Sequence, residues 1–158
     1  MDINDYLIDQ AGKDWPTLLK DWMPPLPPAF TLWLVNRFGD LFVVTDDDAV
    51  HMLDVSAAAF KRVADNRDHF ATLLDIDANA NNWLMIPFVD ACRAANMPLR
   101  PNQCYGFKVP PLLGGKYELA NIAPTDITVH YSLLADIYKQ TKDLPEGTPI
   151  KVAVFDKK

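Results

Sequence analysis

Phe38-Gly-Asp-Leu-Phe-Val-Val-Thr45 and Ala49-Val-His-Met-Leu-Asp54, joined by Asp46-Asp47-Asp48, form the stretch whose reading decides the fold. Both runs are rich in β-branched and aromatic residues, the types that suit a pleated, half-buried surface. Aspartates between them suit a turn, because a short carboxylate accepts from backbone N–H groups close by in the chain. The stretch therefore predicts a β-hairpin, and antiparallel pairing becomes the expected sheet type. The triple aspartate reads first as a solvated turn. As a compact negative knob, Asp46, Asp47 and Asp48 are also the best exposed contact candidates in the chain.

Upstream, Phe30–Val35 reads as a strand or short buried segment. It follows Pro24-Pro25-Leu26-Pro27-Pro28, a stiff extended or polyproline connector. Residues 4–23 read as helical with a break near Gly12; Asp14 and Pro16 suit a second helix start, and Trp15, Leu18, Leu19 and Trp22 share its apolar face. Downstream, Phe60, Val63, Ala64, Phe70, Leu73 and Leu74 carry helical spacing over Ser56–Leu74, with a break near Asn66. Asn81 or Asn82 suits the cap of a helix running to about Met97, in which Pro87 implies a kink or a late start. Tyr117–Ile122 and Asp126–Tyr131 read as strands, the latter from the alternation of Ile127, Val129 and Tyr131. Ser132 then suits a helix cap, Leu144–Pro149 a turn and Ile150–Phe155 a last strand. The expected fold is α+β: a single domain over residues 1–158, with helices packed on a largely antiparallel sheet.

Between these elements, Cys104–Asn121 is an ordered apolar loop with a demanding path. Gly106, Gly114 and Gly115 permit backbone angles that other residues avoid, while Pro110 and Pro111 each fix φ and remove a donor. These five are structural loop residues.

Composition excludes more than it selects. At 158 residues, with 49% hydrophobic and 23% charged residues, the chain can bury a real core. Its formal charge of −6 argues against direct nucleic-acid binding, which lysine and arginine drive, and favours a basic partner. No apolar run approaches the length of a membrane span, and Met1–Asp5 has acids where a signal peptide needs basic residues, so a cytoplasmic location is expected. Two cysteines, Cys92 and Cys104, make no disulfide framework. Nothing in these residues fixes an oligomeric state.

Familiar chemistries fit poorly. Asp75–Asn81 places oxygens at alternate positions, but Ala80 and Ile86 stand where a calcium loop needs glycine and a closing glutamate. Leu113-Gly-Gly-Lys116 lacks the earlier glycine of a phosphate loop, because Pro110 occupies that place, and Tyr117 replaces its hydroxyl ligand. His51, His69 and His130 form no local ligand pair, and a Cys104–His130 nucleophile pair has no matching signature. The expectation is no catalytic residue, no metal and no cofactor.

Several stretches together nevertheless resemble a known bacterial family. They are Phe38-Gly-Asp-Leu-Phe42, Val50-His-Met-Leu-Asp54, Tyr105-Gly-Phe-Lys-Val-Pro-Pro-Leu-Leu-Gly-Gly-Lys-Tyr117, Asn121-Ile122, Asp126, His130, the helix to Gln140, and Lys142-Asp-Leu-Pro-Glu-Gly-Thr-Pro149. In this order, over about residues 30–155, they resemble the C-terminal domain family of type VI secretion immunity proteins of the Tdi type, which is close to the SUKH immunity proteins. The resemblance implies an α+β, non-enzymatic protein that neutralises a cognate toxin, a nuclease being the expected kind. An acidic surface including Asp46–Asp48 would cover its basic active-site region. The alternatives are a small-ligand module, with a pocket under the glycine-rich loop lined by Tyr105, Phe107 and Tyr117, and, third, an uncharacterised enzyme.

Overall fold

A computed structural model describes residues 2–142 of the chain. The hairpin lies at the centre of a four-stranded antiparallel meander: β1 (Thr31–Val35), β2 (Leu41–Val44), β3 (Val50–Asp54) and β4 (Ala59–Ala64). Leu41 pairs with Leu53 and Val44 with Val50, so the three aspartates form the turn, as their chemistry implies. β2 is buried along its whole length, and the alternation of a strand divides it between two cores. Leu41 and Val43 join Val35, Leu53 and Val55 against Trp22, Tyr131 and Ile137. Phe42 and Val44 face the other way, towards Val50, Phe70 and Trp83. There Phe70 stacks on Trp83 at 4.9 Å and meets Trp33 and Phe42 edge-on.

The helices α1 (Trp15–Leu18), α2 (Arg67–Leu74), α3 (Asp77–Trp83), α4 (Ile86–Ala94) and α5 (Ile127–Thr141) surround this sheet, and a two-stranded ribbon, β5 (Gln103–Phe107) with β6 (Ile122–Asp126), completes the α+β architecture. A third core, around Phe38, Leu84, Val89, Tyr105 and Ile122, joins the ribbon to α4. Side chains that accept from first-turn N–H groups set the helix starts. Asp14 accepts from Thr17, Asn66 from His69, and Asp126 from Thr128 and Val129.

Several local expectations change. Ala59–Ala64 is a strand: its apolar residues have helical spacing, but pairing along β3 from Val50 to Asp54 overrides it. It is an edge strand, and exposed Lys61 and Arg62 protect that edge. Ile127–Tyr131 is the first turn of α5, not a strand, and Asp126 caps it in place of Ser132. Ile127, Tyr131 and Leu134 are buried at helical spacing, whereas Val129 is 54% exposed. Of residues 117–122, Leu119–Asn121 form a short 3-10 turn and only Ile122 is in a strand, as the first residue of β6, while residues 4–23 hold α1 between two such turns. The break at Gly12 is real, at φ +74°. The proline segment bends through two cis peptide bonds instead of extending. Two helices replace the one expected from Asn81: α3 starts earlier, at Asp77, and α4 starts late, with Pro87 in its first turn. The turn and strand expected at residues 144–155 lie outside the described residues.

The turn before β2 ties the three cores together. Asn36 is fully buried. Its Oδ1 accepts from the backbone N–H of Phe38 and Asp40, and its Nδ2 donates to Asp40 Oδ2 and to the Trp83 carbonyl, all within 2.9–3.0 Å. From α5, His130 Nε2 lies 2.9 Å from the Phe38 carbonyl, and the Tyr131 hydroxyl donates to the Gly39 carbonyl at 2.7 Å. A carbonyl only accepts, so His130 carries its proton on Nε2. From β5, the Tyr105 N–H donates to the Arg37 carbonyl. Gly39 sits at φ +81°, and a Cβ there would come 3.1 Å from the His130 ring. Gly106, which is in β5 and not in the loop, clears the other side: a Cβ would lie 2.9 Å from Thr125 and 3.2 Å from His130 Nδ1. Burial between these glycines pushes the His130 pKa down to about 4, so the ring is neutral at neutral pH.

The loop after β5 is locked by Asn121, whose side chain accepts from Val109 N–H and donates to the Val109 and Lys116 carbonyls. Pro110 leads into a single 3-10 turn, Pro111–Leu113, which ends at Gly114 with φ +88°. Gly115 is needed for space: a Cβ would fall 1.6 Å from the Val109 carbonyl oxygen.

Two stability predictions follow from these contacts. Asn36→Ala strands two buried backbone donors and a buried carbonyl, and should lower the unfolding free energy by about 3–5 kcal/mol. Asn36→Asp should not rescue it, because it sets a further carboxyl against Asp40. Urea unfolding of Asn36→Ala within about 1 kcal/mol of wild type would refute the role given to this side chain. In the loop, Gly114→Ala should cost about 1–2 kcal/mol for backbone strain alone. Gly115→Ala should cost more, because the chain at Val109 must move, and equal midpoints for the two variants would count against that packing.

Candidate functional site

The hairpin register carries one residue further than its hydrogen-bonded ladder. Because Leu41 pairs with Leu53, Asp40 stands opposite Asp54. Like charges directly opposite across an antiparallel pair are destabilising. Asp40 is almost wholly buried, and its Oδ1 accepts from the Val55 N–H at 3.1 Å. Asp54 is half-buried, and its Oδ1 accepts from Ser56 and Ala57. Burial, and then the charge of Asp54, holds the Asp40 carboxyl well above the usual range. Burial also raises Asp54, against the opposing pull of its backbone bonds and of Lys61.

Both carboxyls line a cleft of about 420 Å³ between the β3–β4 edge, the α3–α4 corner and the glycine-rich loop. Its walls include Met52, Trp83, Phe88 and Tyr117, and Lys61 stands at the side. Tyr117 is 48% exposed and packs edge-on against Phe107 at 5.1 Å. Burial, with the charges of Asp54 and Asp40, pushes its phenol up to about 12. At neutral pH it is therefore a neutral, amphipathic wall. The corner itself is turned by Met85, a non-glycine residue at φ +53°.

The three aspartates of the hairpin turn lie at the other end of β3. All are exposed, but two of them serve the turn. Asp47 accepts from the Thr45 hydroxyl and the Ala49 N–H and lies 3.5 Å from Arg62. The Thr45 and Ala49 bonds, with the nearby arginine, lower its carboxyl pKa. Asp48 adopts φ +66° and donates its N–H to the Thr45 carbonyl. Asp46 makes no side-chain hydrogen bond or ion pair among the described residues.

The pocket expected from Tyr105, Phe107 and Tyr117 does not form from those three. Tyr105 is a core residue whose hydroxyl donates to the Met97 carbonyl, while Phe107 packs between Phe38 and Tyr117. A cavity of about 180 Å³ does lie beside the loop, bounded by Gly106, Phe107, Pro110 and His130. Cys104 is fully buried and its thiol is pushed up by burial, the opposite of what a nucleophile needs. Among the described residues no three metal-ligating side chains come together, and no helix is long and apolar enough to cross a membrane. Sequence reasoning missed Asn36, Asp40 and Asp54. The register implied by a turn at residues 46–48 was the available signal for the last two.

No curated protein matches the chain. Among solved structures, the crystal structure of Atu4351 from Agrobacterium tumefaciens is similar over 66% of this chain and 52% of its own, at 18% identity and a TM-score of 0.42. The chain thus spans about half the length of that protein. A family model gives a sharper result. Its match begins at the end of β4 and runs through α2–α4, the β5–β6 ribbon and the glycine-rich loop into α5. The motifs at Phe38–Phe42, Val50–Asp54 and Lys142–Pro149 lie outside it. Residues 64–138 match the family described as T6SS immunity protein Tdi1, C-terminal, the family that the sequence motifs resemble.

Proposed function

We propose that this protein is a SUKH-like immunity protein that binds a cognate secreted toxin in the cytoplasm of the producing cell and neutralises it without catalysis of its own. The observation that carries the reading is the match of residues 64–138 to the immunity family. The net charge of −6 supports a basic partner, and a nuclease, which must present a basic surface to nucleic acid, fits that description. The family motifs support the reading in a second way. Phe38 to Asp40, Gly106, His130 and Asn121 all hold the fold, which leaves the exposed surface for the toxin.

On this reading the Asp46–Asp48 turn is part of the contact surface, with Asp46 free to meet a cation. Exposed charges of this kind set the encounter rate and exclude wrong partners, whereas affinity comes from a few buried anchors.

The test is co-expression with the product of the neighbouring reading frame. Growth should be restored, and the two proteins should co-purify. Asp46→Lys should slow association several-fold at low salt with little change in melting, since its side chain bonds to nothing in the turn. Unaltered toxicity on co-expression of the wild-type chain would sink the proposal.

A further inference from the structure

We infer that the cleft between Asp54 and Tyr117 receives an arginine side chain of the toxin, with Asp54 and Asp40 as its counter-charges and the aromatic wall as its platform. The inference rests on the toxin-binding reading above and gives that interaction a place and a chemistry.

Five observations converge on a guanidinium. The cleft, at about 420 Å³, is large enough for a long side chain. Its floor is a carboxyl pair placed opposite one another by the hairpin register, an arrangement that is unfavourable until a cation separates the charges. No cation already pairs with the acids: Asp54 Oδ2 has no hydrogen-bond or ion-pair partner among the described residues, and Lys61 at the side forms no ion pair with it. Burial has raised both carboxyls, so an incoming cation recovers their charged forms. Finally, the walls are aromatic. Phe88 and Tyr117 are only partly covered, and a planar, weakly hydrated guanidinium stacks on such rings while bonding a carboxylate in the same plane. An ammonium is more strongly hydrated and lacks that plane. Trp83, at the back, is held by the bond from Asn36 to its carbonyl, so this wall is fixed before any partner arrives.

Two measurements on the full chain test this. In the first, N-acetyl-argininamide is titrated into isotope-labelled protein while the side-chain amides of Asn81 and Asn82, which line the cleft, are followed by NMR. Saturable shifts are expected with the arginine derivative, with none from its neutral isostere N-acetyl-citrullinamide and weaker ones from N-acetyl-lysinamide. They should disappear in Asp54→Asn, which keeps one acceptor for Ser56 and Ala57. Absent shifts, or equal shifts with the citrulline compound, would overturn a cation site; equal shifts with the lysine compound would overturn the arginine assignment. In the second, the dissociation constant for the toxin is compared among wild type, Asp54→Asn and Tyr117→Ala. Each variant should bind at least about tenfold more weakly, which is about 1.4 kcal/mol, with melting little changed. Equal affinity would overturn the inference while leaving the immunity reading intact. Failure of the wild type itself to bind would remove the immunity reading, and the NMR titration would still decide the cleft.

Discussion

The buried side chain of Asn36 is the constraint on which the rest of the structure depends. An amide has two donors and two acceptor sites, and here all are used inside the protein. Two bonds shape the turn from Asn36 to Asp40, one fixes the Asp40 carboxyl, and one reaches the end of α3. The turn then presents successive apolar side chains to different cores. Phe38 enters the ribbon core, Leu41 the core beneath α5, and Phe42 the aromatic core with Phe70. Its carbonyls at Arg37, Phe38 and Gly39 face inward, where a bare carbonyl would be costly, and β5 and α5 supply their partners. Five residues thereby set the relative placement of sheet, ribbon and helices.

This arrangement explains the character of the motifs. Phe38-Gly-Asp contributes a core ring, a left-handed glycine and a buried acid. Tyr105-Gly contributes the neighbouring strand and the space for His130. His130 is invisible as a structural residue in the sequence because its requirement is non-local: it needs two glycines, one from the turn and one from β5, to leave room for a neutral ring. A histidine so placed has no need of a catalytic partner to justify its burial.

What could be read in advance followed local chemistry. The hairpin was legible because β-branched runs and a turn of aspartates agree with each other, and the breaks at Gly12 and Asn66 because glycine and a capping amide act within a few residues. Misreadings arose where two periods fit one segment. Phe60, Val63 and Ala64 match a helix, yet β3 offers them a ladder. Ile127, Val129 and Tyr131 match a strand, yet Asp126 caps two N–H groups and the burial of Tyr131, Leu134 and Ile137 continues the helix. The carboxyl pair was hidden for a different reason. Twenty-one acidic residues make any two unremarkable. Only the register, which counts symmetrically outward from the turn, sets Asp40 opposite Asp54.

That register also separates two kinds of negative charge at the two ends of one hairpin. Asp46–Asp48 stand in water, where salt screens them beyond about 8–10 Å, so they act on a partner before contact and contribute little afterwards. Asp40 and Asp54 are poorly solvated, and their field is felt only by a group that enters the cleft. On the proposed toxin-binding reading, the first kind would govern association and the second dissociation. The cost of the second kind is borne by the fold, which holds two acids together through Asn36, Val55 and the backbone of residues 56 and 57. A purely structural turn could avoid that cost with a neutral side chain at either position. Two opposed carboxyls beside an aromatic wall are what the proposed cation site requires.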